Sequence, residues 1–364
     1  MKLVAIVALT ACSSAAPEPA KSVASRDAAP RMTDPHPPAT YTTPPTAACG
    51  EPGATTPPQK VVQLTGGGES CARLVDGTVW CWGARGQTLI RSDATSSLAC
   101  AVATRIPNYG VADHLWASPY RTTCVAAKGS VRCGVLADWG FEPTATPLDA
   151  RVGFQWSGLP CAITRDNKIR CLRDDKTKEA AILGPVEEVA IENSGFGALC
   201  ALSRTAVSCL RDGKAEVVAS NVMHLAAGEK LWGLRRDGTV VRLDSCNDAG
   251  TWKPCSIPIE GIRDAISIAS GGPTACAVRR DGRVVCADCV AKTACADPAK
   301  PVEGITDATQ VAVGIGHVCA LRKTGEVMCW GHSECGQAGG TAEAGKVCSE
   351  KPIVVPPTTI LWAK

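Results

Sequence analysis

Six times along this chain a cysteine is followed nine or ten residues later by a second one, with a turn signal midway. The first copy reads Cys71-Ala-Arg-Leu-Val-Asp-Gly-Thr-Val-Trp-Cys81. The others run Cys124 to Cys133, Cys161 to Cys171, Cys200 to Cys209, Cys276 to Cys286 and Cys319 to Cys329. A seventh copy, Trp232-Gly-Leu-Arg-Arg-Asp-Gly-Thr-Val-Val-Arg242, keeps the frame and loses both cysteines together. Self-similarity of this kind sets the architecture before any single residue does. It also favours a binding surface over a single catalytic centre.

The spacing has a physical reason. With Val75-Asp76-Gly77 as a three-residue hairpin loop closed by a left-handed glycine, Leu74 faces Thr78, Arg73 faces Val79, Ala72 faces Trp80 and Cys71 faces Cys81. Directly opposed cysteines on antiparallel strands lie within disulfide reach. The same register serves Arg165-Asp166-Asn167, Arg280-Asp281-Gly282 and Lys323-Thr324-Gly325, and Asn tolerates the left-handed region. The two shorter copies need two-residue turns, Lys128-Gly129 and Arg204-Thr205, the latter poor turn chemistry. In the cysteine-free copy Trp232 opposes Arg242, a pair able to stack as cation and ring. Losing both cysteines at once is what a bonded pair predicts.

The chain has 21 cysteines in 364 residues, too many for a reducing cytosol. Met1-Lys2, an apolar run from Leu3 to Leu9, and Leu9-Thr10-Ala11-Cys12 resemble a bacterial lipoprotein signal. The run is too short to span a bilayer. The resemblance implies cleavage after residue 11, a lipid on Cys12 and, from Ser13, an outer-membrane address. An ordinary secretory signal is the alternative. Residues 12–58, rich in Pro, Ala, Ser and Thr, read as a disordered tether with too few apolar residues to build a core, and residues 59–364 carry the repeats.

Without Cys12 the cysteine count is even. The hairpins leave Cys49, Cys100, Cys246, Cys255, Cys289, Cys295, Cys335 and Cys348. Cys246 with Cys255, Cys289 with Cys295 and Cys335 with Cys348 make three local loop bridges in the simplest reading, leaving Cys49 to Cys100. Spacing alone proves none of the four.

Each unit is larger than its hairpin. An alternating strand runs into glycine, as in Lys60-Val-Val-Gln-Leu-Thr-Gly66-Gly67-Gly68, and the hairpin adds two strands. A variable loop then leads to a fourth strand, often flanked by proline. Seven units of about 43 residues suit four-stranded propeller blades. Gly316-His317-Val-Cys319 through Cys329-Trp330-Gly331, and Gly68-Glu-Ser-Cys71 through Cys81-Trp82-Gly83, resemble the repeat of the regulator of chromosome condensation family. The resemblance is strong in copies one, six and seven and weak in two to five. It implies an all-β, seven-bladed β-propeller after the tether. Aromatic residues are only 4%, so its core must rest on Val, Ile, Leu and Ala. The last strand signal, residues 359–363, looks like a blade's first strand and is expected to close the ring against blade 1.

Catalytic chemistry is not evident. No nucleophile-elbow, zinc-protease or phosphate-loop pattern occurs. Of five histidines, His36 lies in the tether, His317 reads as a structural hydrogen-bonding residue, His332 as loop surface, and His114 and His224 as strand starts. No repeated His, Asp or Glu is evident at equivalent blade positions. Asp174-Asp175 and Glu187-Glu188 read as solvated turns rather than calcium ligands. Cys286, Cys289 and Cys295 have a zinc-like start, but the hairpin already claims Cys286. No metal and no cofactor are expected. A net charge of +3 without a basic block gives no sign of a nucleic-acid surface, and none is expected as a partner. Nuclear activities of the family do not transfer on fold alone. Two function classes remain. One is an envelope-anchored monomer, held in the membrane by its lipid, that binds a protein or glycan through the loops 83–103, 134–147 and 331–352. Its anchors would be Trp139, Phe141 and Trp252, unless these pack on their own loops. The other is a lyase or hydrolase acting on an envelope polymer in the propeller channel.

Overall fold

The computed structural model describes residues 53–85, 98–117, 122–135, 145–157, 159–173, 176–192, 198–211, 213–245, 254–288, 299–333, 336–339 and 354–363. Blades 4 to 7 are separate four-stranded antiparallel sheets, with inner strands Glu188–Ile191, Val222–Ala227, Ala265–Gly271 and Ala308–Val313. Blades 2 and 3 share one seven-stranded sheet. Strand Thr146–Trp156 is long enough to be the outer strand of blade 2 and, past a kink, the inner strand of blade 3. The kink is at Asp149, with φ 53°. Asn221 (φ 59°) and Asp264 (φ 54°) stand at the same place before the inner strands of blades 5 and 6. Short Asp and Asn side chains are the ones that tolerate this backbone region.

The hairpins follow the sequence register. Cys71 lies opposite Cys81, Ala72 opposite Trp80 and Arg73 opposite Val79, with Gly77 at φ 81°. Asp76 accepts a hydrogen bond from Thr78 N at 3.0 Å, which holds the loop, and Asp237 and Asp281 repeat this in blades 5 and 6. All six hairpin pairs are disulfides with Cα atoms 4.0–4.1 Å apart. Trp232 lies opposite Arg242, and both are fully buried. Arg204, in the weak two-residue turn, takes φ 57°.

The core is divided between the blades. Among the described residues seven apolar clusters form, each joining two neighbouring blades, and the seventh joins blade 7 to blade 1. Seven seams close a seven-bladed ring. Their members are mainly Val, Ile, Leu, Ala and the cystines themselves, so the disulfides are core material as well as staples.

One strand differs from the sequence expectation. Thr359 ends the outer strand of blade 7, Val354–Thr359, and Leu361–Trp362 does not become an inner strand. It adds in parallel to the outer strand of blade 1, Leu361 opposite Val102 and Trp362 opposite Ala103. Trp362 N donates to Ala54 O at 2.9 Å, so the short strand is held from both sides. Burial decides this placement. Trp362 is 1% exposed and meets the rings of Trp80 and Trp82 edge-on, at centroid distances of 5.7 and 6.2 Å.

Candidate functional site: the channel and its mouth

The inner strand of every blade has one edge unpaired toward the channel, where a row of backbone N–H and C=O groups needs partners. In blades 1, 3, 5, 6 and 7 a register shift follows the first inner-strand residue. The residue after the shift pairs two positions beyond the hairpin cysteine or its Trp232 equivalent. By this register Gln63, His114, Val152, Glu188, His224, Ser267 and Gln310 stand at one level of the ring. All seven line a central cavity of about 990 Å³.

Three of these side chains fasten one blade to the next. Gln310 Oε1 accepts from Leu64 N at 2.8 Å. Gln63 Oε1 accepts from Leu115 N at 3.0 Å, while its Nε2 donates to Leu115 O at 2.7 Å. Glu188 Oε2 accepts from Leu225 N at 2.8 Å. Each leucine immediately follows the ring residue of the next blade. Gln can satisfy both edge groups, whereas a carboxylate only accepts. The second oxygen of Glu188 therefore takes His224 Nδ1, at 2.6 Å. That hydrogen bond raises the His224 pKa above its ordinary value, against partial burial. Gln63 Nε2 also lies 3.2 Å from His114 Nε2, which must accept, so the His114 proton sits on Nδ1. Burial, reinforced by the charges of Arg73 and Arg151, lowers the His114 pKa to about 4.

A second tier of fasteners lies nearer the hairpin cysteines. His317 Nε2 and Ser70 Oγ are 2.7 Å apart across the seam from blade 7 to blade 1. Thr123 Oγ1 donates to Glu69 Oε1 at 3.1 Å across the seam from blade 1 to blade 2. Both join the residue two before the hairpin cysteine to the residue one before it in the next blade. His317 is 1% exposed and structural, as its sequence position suggests.

Two sequence readings are corrected here. Polar residues do recur at equivalent blade positions, including His114, Glu188 and His224. Glu188 is not in a solvated turn but begins an inner strand, Glu188–Ile191. Aligning the chain on the second-strand cysteine and stepping back across the hairpin partner would have exposed this ring, had the inner-strand register been known. Of the sequence candidates, Cys12, Cys49, Cys246, Cys289, Cys295, Cys335, Cys348, Trp139, Phe141 and Trp252 lie outside the described residues. Cys100 lies on strand Leu98–Arg105, its backbone opposite Gly83. Cys255 is disulfide-bonded. Among the described residues no three His, Cys, Asp or Glu gather to hold a metal. Sequence reasoning missed Trp116 and Trp156, half-buried at the cavity wall on the inner strands of blades 2 and 3.

The regulator of chromosome condensation (RCC1) repeat matches residues 308–337, which hold the first three strands of blade 7. No curated protein matches the chain. Among solved structures, the β-propeller domain of Cps50 (Swd1) from Myceliophteria thermophila is 13% identical, with 76% of this chain and 98% of that one covered, at a TM-score of 0.52. Prp20p from Saccharomyces cerevisiae is 14% identical over 82% of this chain and 76% of its own, at 0.43. The WD40 β-propeller domain of Doa1 is 13% identical over 77% and 96%, at 0.48. The Cps50 domain supports the propeller fold and nothing beyond it. The chain is a β-propeller whose last blade matches the RCC1 repeat over residues 308–337.

Proposed function

We propose that this chain is a non-catalytic protein-binding module, held at a bacterial envelope by a lipid on Cys12. The observation that supports it best is what the channel's polar groups do. Glu188, Gln63 and Gln310 are committed to backbone groups of neighbouring blades, and His114 is held neutral against Gln63. The Glu188 carboxylate that meets His224 Nδ1 is itself tied to Leu225 N, so this pair also fastens blade 4 to blade 5. Recognition falls to the end of the ring where the inner strands turn into the second strands. The connections from third to outer strand leave from the same end, because successive strands are antiparallel. The Pro-rich segment that follows Cys12 would hold that ring clear of the membrane.

The test is a pull-down from envelope extract with the full chain and with Cys12→Ala. A protein partner retained by both, with lipid labelling lost in the variant, supports the reading. Turnover of an envelope polymer, stopped by a channel substitution, would overturn it, as would capture of a glycan alone. Unchanged lipid labelling in Cys12→Ala would remove the anchor.

A further inference from the structure

The six hairpin disulfides share one geometry but not one cover. In five blades the third-strand cysteine has an outer-strand residue directly opposite it: Thr104 for Cys81, Lys178 for Cys171, Glu216 for Cys209, Lys300 for Cys286 and Thr358 for Cys329. Directly opposed residues send their side chains to the same side of the sheet. Each of these residues therefore stands beside the cystine, on the side away from the second strand. Blade 2 differs. Its outer strand is the one shared with blade 3, and the pairing of Gly129, Ser130 and Val131 with Ala150, Pro147 and Thr146 stops two residues short of Cys133. Among the described residues no outer-strand residue pairs opposite Cys133. Burial follows the cover. Cys81, Cys209 and Cys329 are 1% exposed or less and Cys171 is 5% exposed, whereas Cys133 is only partly buried. Cys286 is partly buried too, under the two-residue outer strand Lys300–Pro301, but Lys300 stands opposite it.

Thiol–disulfide exchange needs a thiolate to reach one sulfur in line with the bond, from the side away from the other sulfur. For a cystine that bridges the second and third strands, that side of the third-strand sulfur lies over the outer strand. We propose that Cys124–Cys133 is a thiol-exchange site for a dithiol reductant, and that the other five hairpin disulfides are closed to it. A thiolate of the dithiol attacks Cys133 Sγ. The S–S bond breaks, and Cys124 Sγ leaves with the electron pair and takes a proton. The dithiol's second sulfur, now deprotonated, attacks its first, and Cys133 Sγ leaves as a thiolate and is protonated in turn. Two electrons and the dithiol's two protons pass to the cystine, and the dithiol ends as a disulfide. The fold accepts the product. Phe154 O, on the inner strand of blade 3, lies 3.7 Å from Cys133 Sγ, where the new thiol can donate. Both cysteines sit at the apolar cluster between blades 2 and 3, with Leu148, Ala150 and Ala162, so exchange loosens that seam. The site is independent of what the module binds.

The test is a timed exposure of the full chain in detergent to dithiothreitol, without denaturant, with free thiols blocked by iodoacetamide and located by peptide mapping. Cys124 and Cys133 should be labelled together, about tenfold faster than any other hairpin pair. A monothiol, glutathione, should be caught as a mixed disulfide on Cys133 and not on Cys124. Exchange should quicken as pH rises toward the reagent's pKa, because the thiolate is the attacking form. Equal rates at all the hairpin pairs, another hairpin pair reduced first, or glutathione found on Cys124 overturns the inference. So does a blade 2 rate that climbs with urea as steeply as global unfolding, since the bond would then be reached only in the unfolded chain.

Discussion

The two halves of the ring solve the same packing problem in opposite ways. In blades 5, 6, 7 and 1 the inner strands run into glycine, and neighbouring backbones touch. A Cβ on Gly66 would lie 2.6 Å from Val313 C, one on Gly228 2.5 Å from Gly272 O, and one on Gly271 2.6 Å from Gly314 O. Direct hydrogen bonds cross these seams, Glu229 N to Gly272 O at 2.8 Å and Ile315 N to Gly67 O at 2.9 Å. In blades 2 to 4 the same strand ends hold Trp116-Ala117, Trp156-Ser157 and Ile191-Glu192. A half sealed by backbone contact has no side chains there to offer a ligand. The other half has bulk at the mouth instead.

The comparison can be broken by substitution. The largest effect should come from the strand that finishes the glycine half. Trp362→Ala removes a buried indole from the seam of blades 7 and 1 and should cost about 4 kcal/mol in chemical denaturation. A loss under about 1 kcal/mol would mean the terminal strand is not part of the closed ring.

Acid separates the halves next. His114, in blade 2, has a folded pKa of about 4, below the unfolded value near 6.5. Its contribution is whole above the unfolded value. It is lost as pH falls, because the unfolded chain takes the proton first. The loss should reach about 3 kcal/mol by pH 4 and be absent in His114→Gln. His224, in blade 5, has the opposite sign. Its raised pKa stabilises the ring below the unfolded value, and that gain fades as pH rises through the folded one. Parallel stability-versus-pH curves for wild type and His114→Gln would refute the assignment.

A glycine test is smaller. Gly66→Ala should cost about 2 kcal/mol, since its Cβ meets backbone that cannot move aside. Ala117→Ser, at the corresponding end in blade 2, should stay within about 0.5 kcal/mol. Equal melting shifts would erase the distinction between the halves. Smallest of all, Arg204→Gly should stabilise blade 4 by about 1 kcal/mol, because Arg204 holds φ 57° where glycine is unstrained. A melting temperature that falls instead would mean the arginine side chain does more than its backbone costs.

The hairpins were legible because everything that defines them is local. Asp76, Gly77 and ten residues of alternating chain set Cys71 against Cys81, and no distant contact can shift that register without breaking the turn. The same locality made Arg204-Thr205 recognisable as weak. Glu188 was not legible. Glu-Glu before Val-Ala-Ile reads equally well as a solvated turn or a strand start, and only the edge of blade 5 gives its carboxylate a backbone N–H to hold. Trp116 drew no attention in the sequence, since its worth depends on a neighbouring blade. The terminal strand failed for a related reason: Ile360-Leu361-Trp362 alternates as any strand does, and pattern carries no information about which edge it will join.

By itself, then, the sequence determined the repeat, the hairpin register and its disulfides, and so the propeller. These follow from turn chemistry and period, which act within about a dozen residues. The tertiary structure alone decided the order of polar residues around the channel, the side of the ring that carries bulk, and the parallel docking of Leu361–Trp362 on blade 1. Each of these depends on contacts between blades whose residues are tens to hundreds of positions apart, and burial and hydrogen-bond satisfaction across a seam are properties of two surfaces that no single segment encodes.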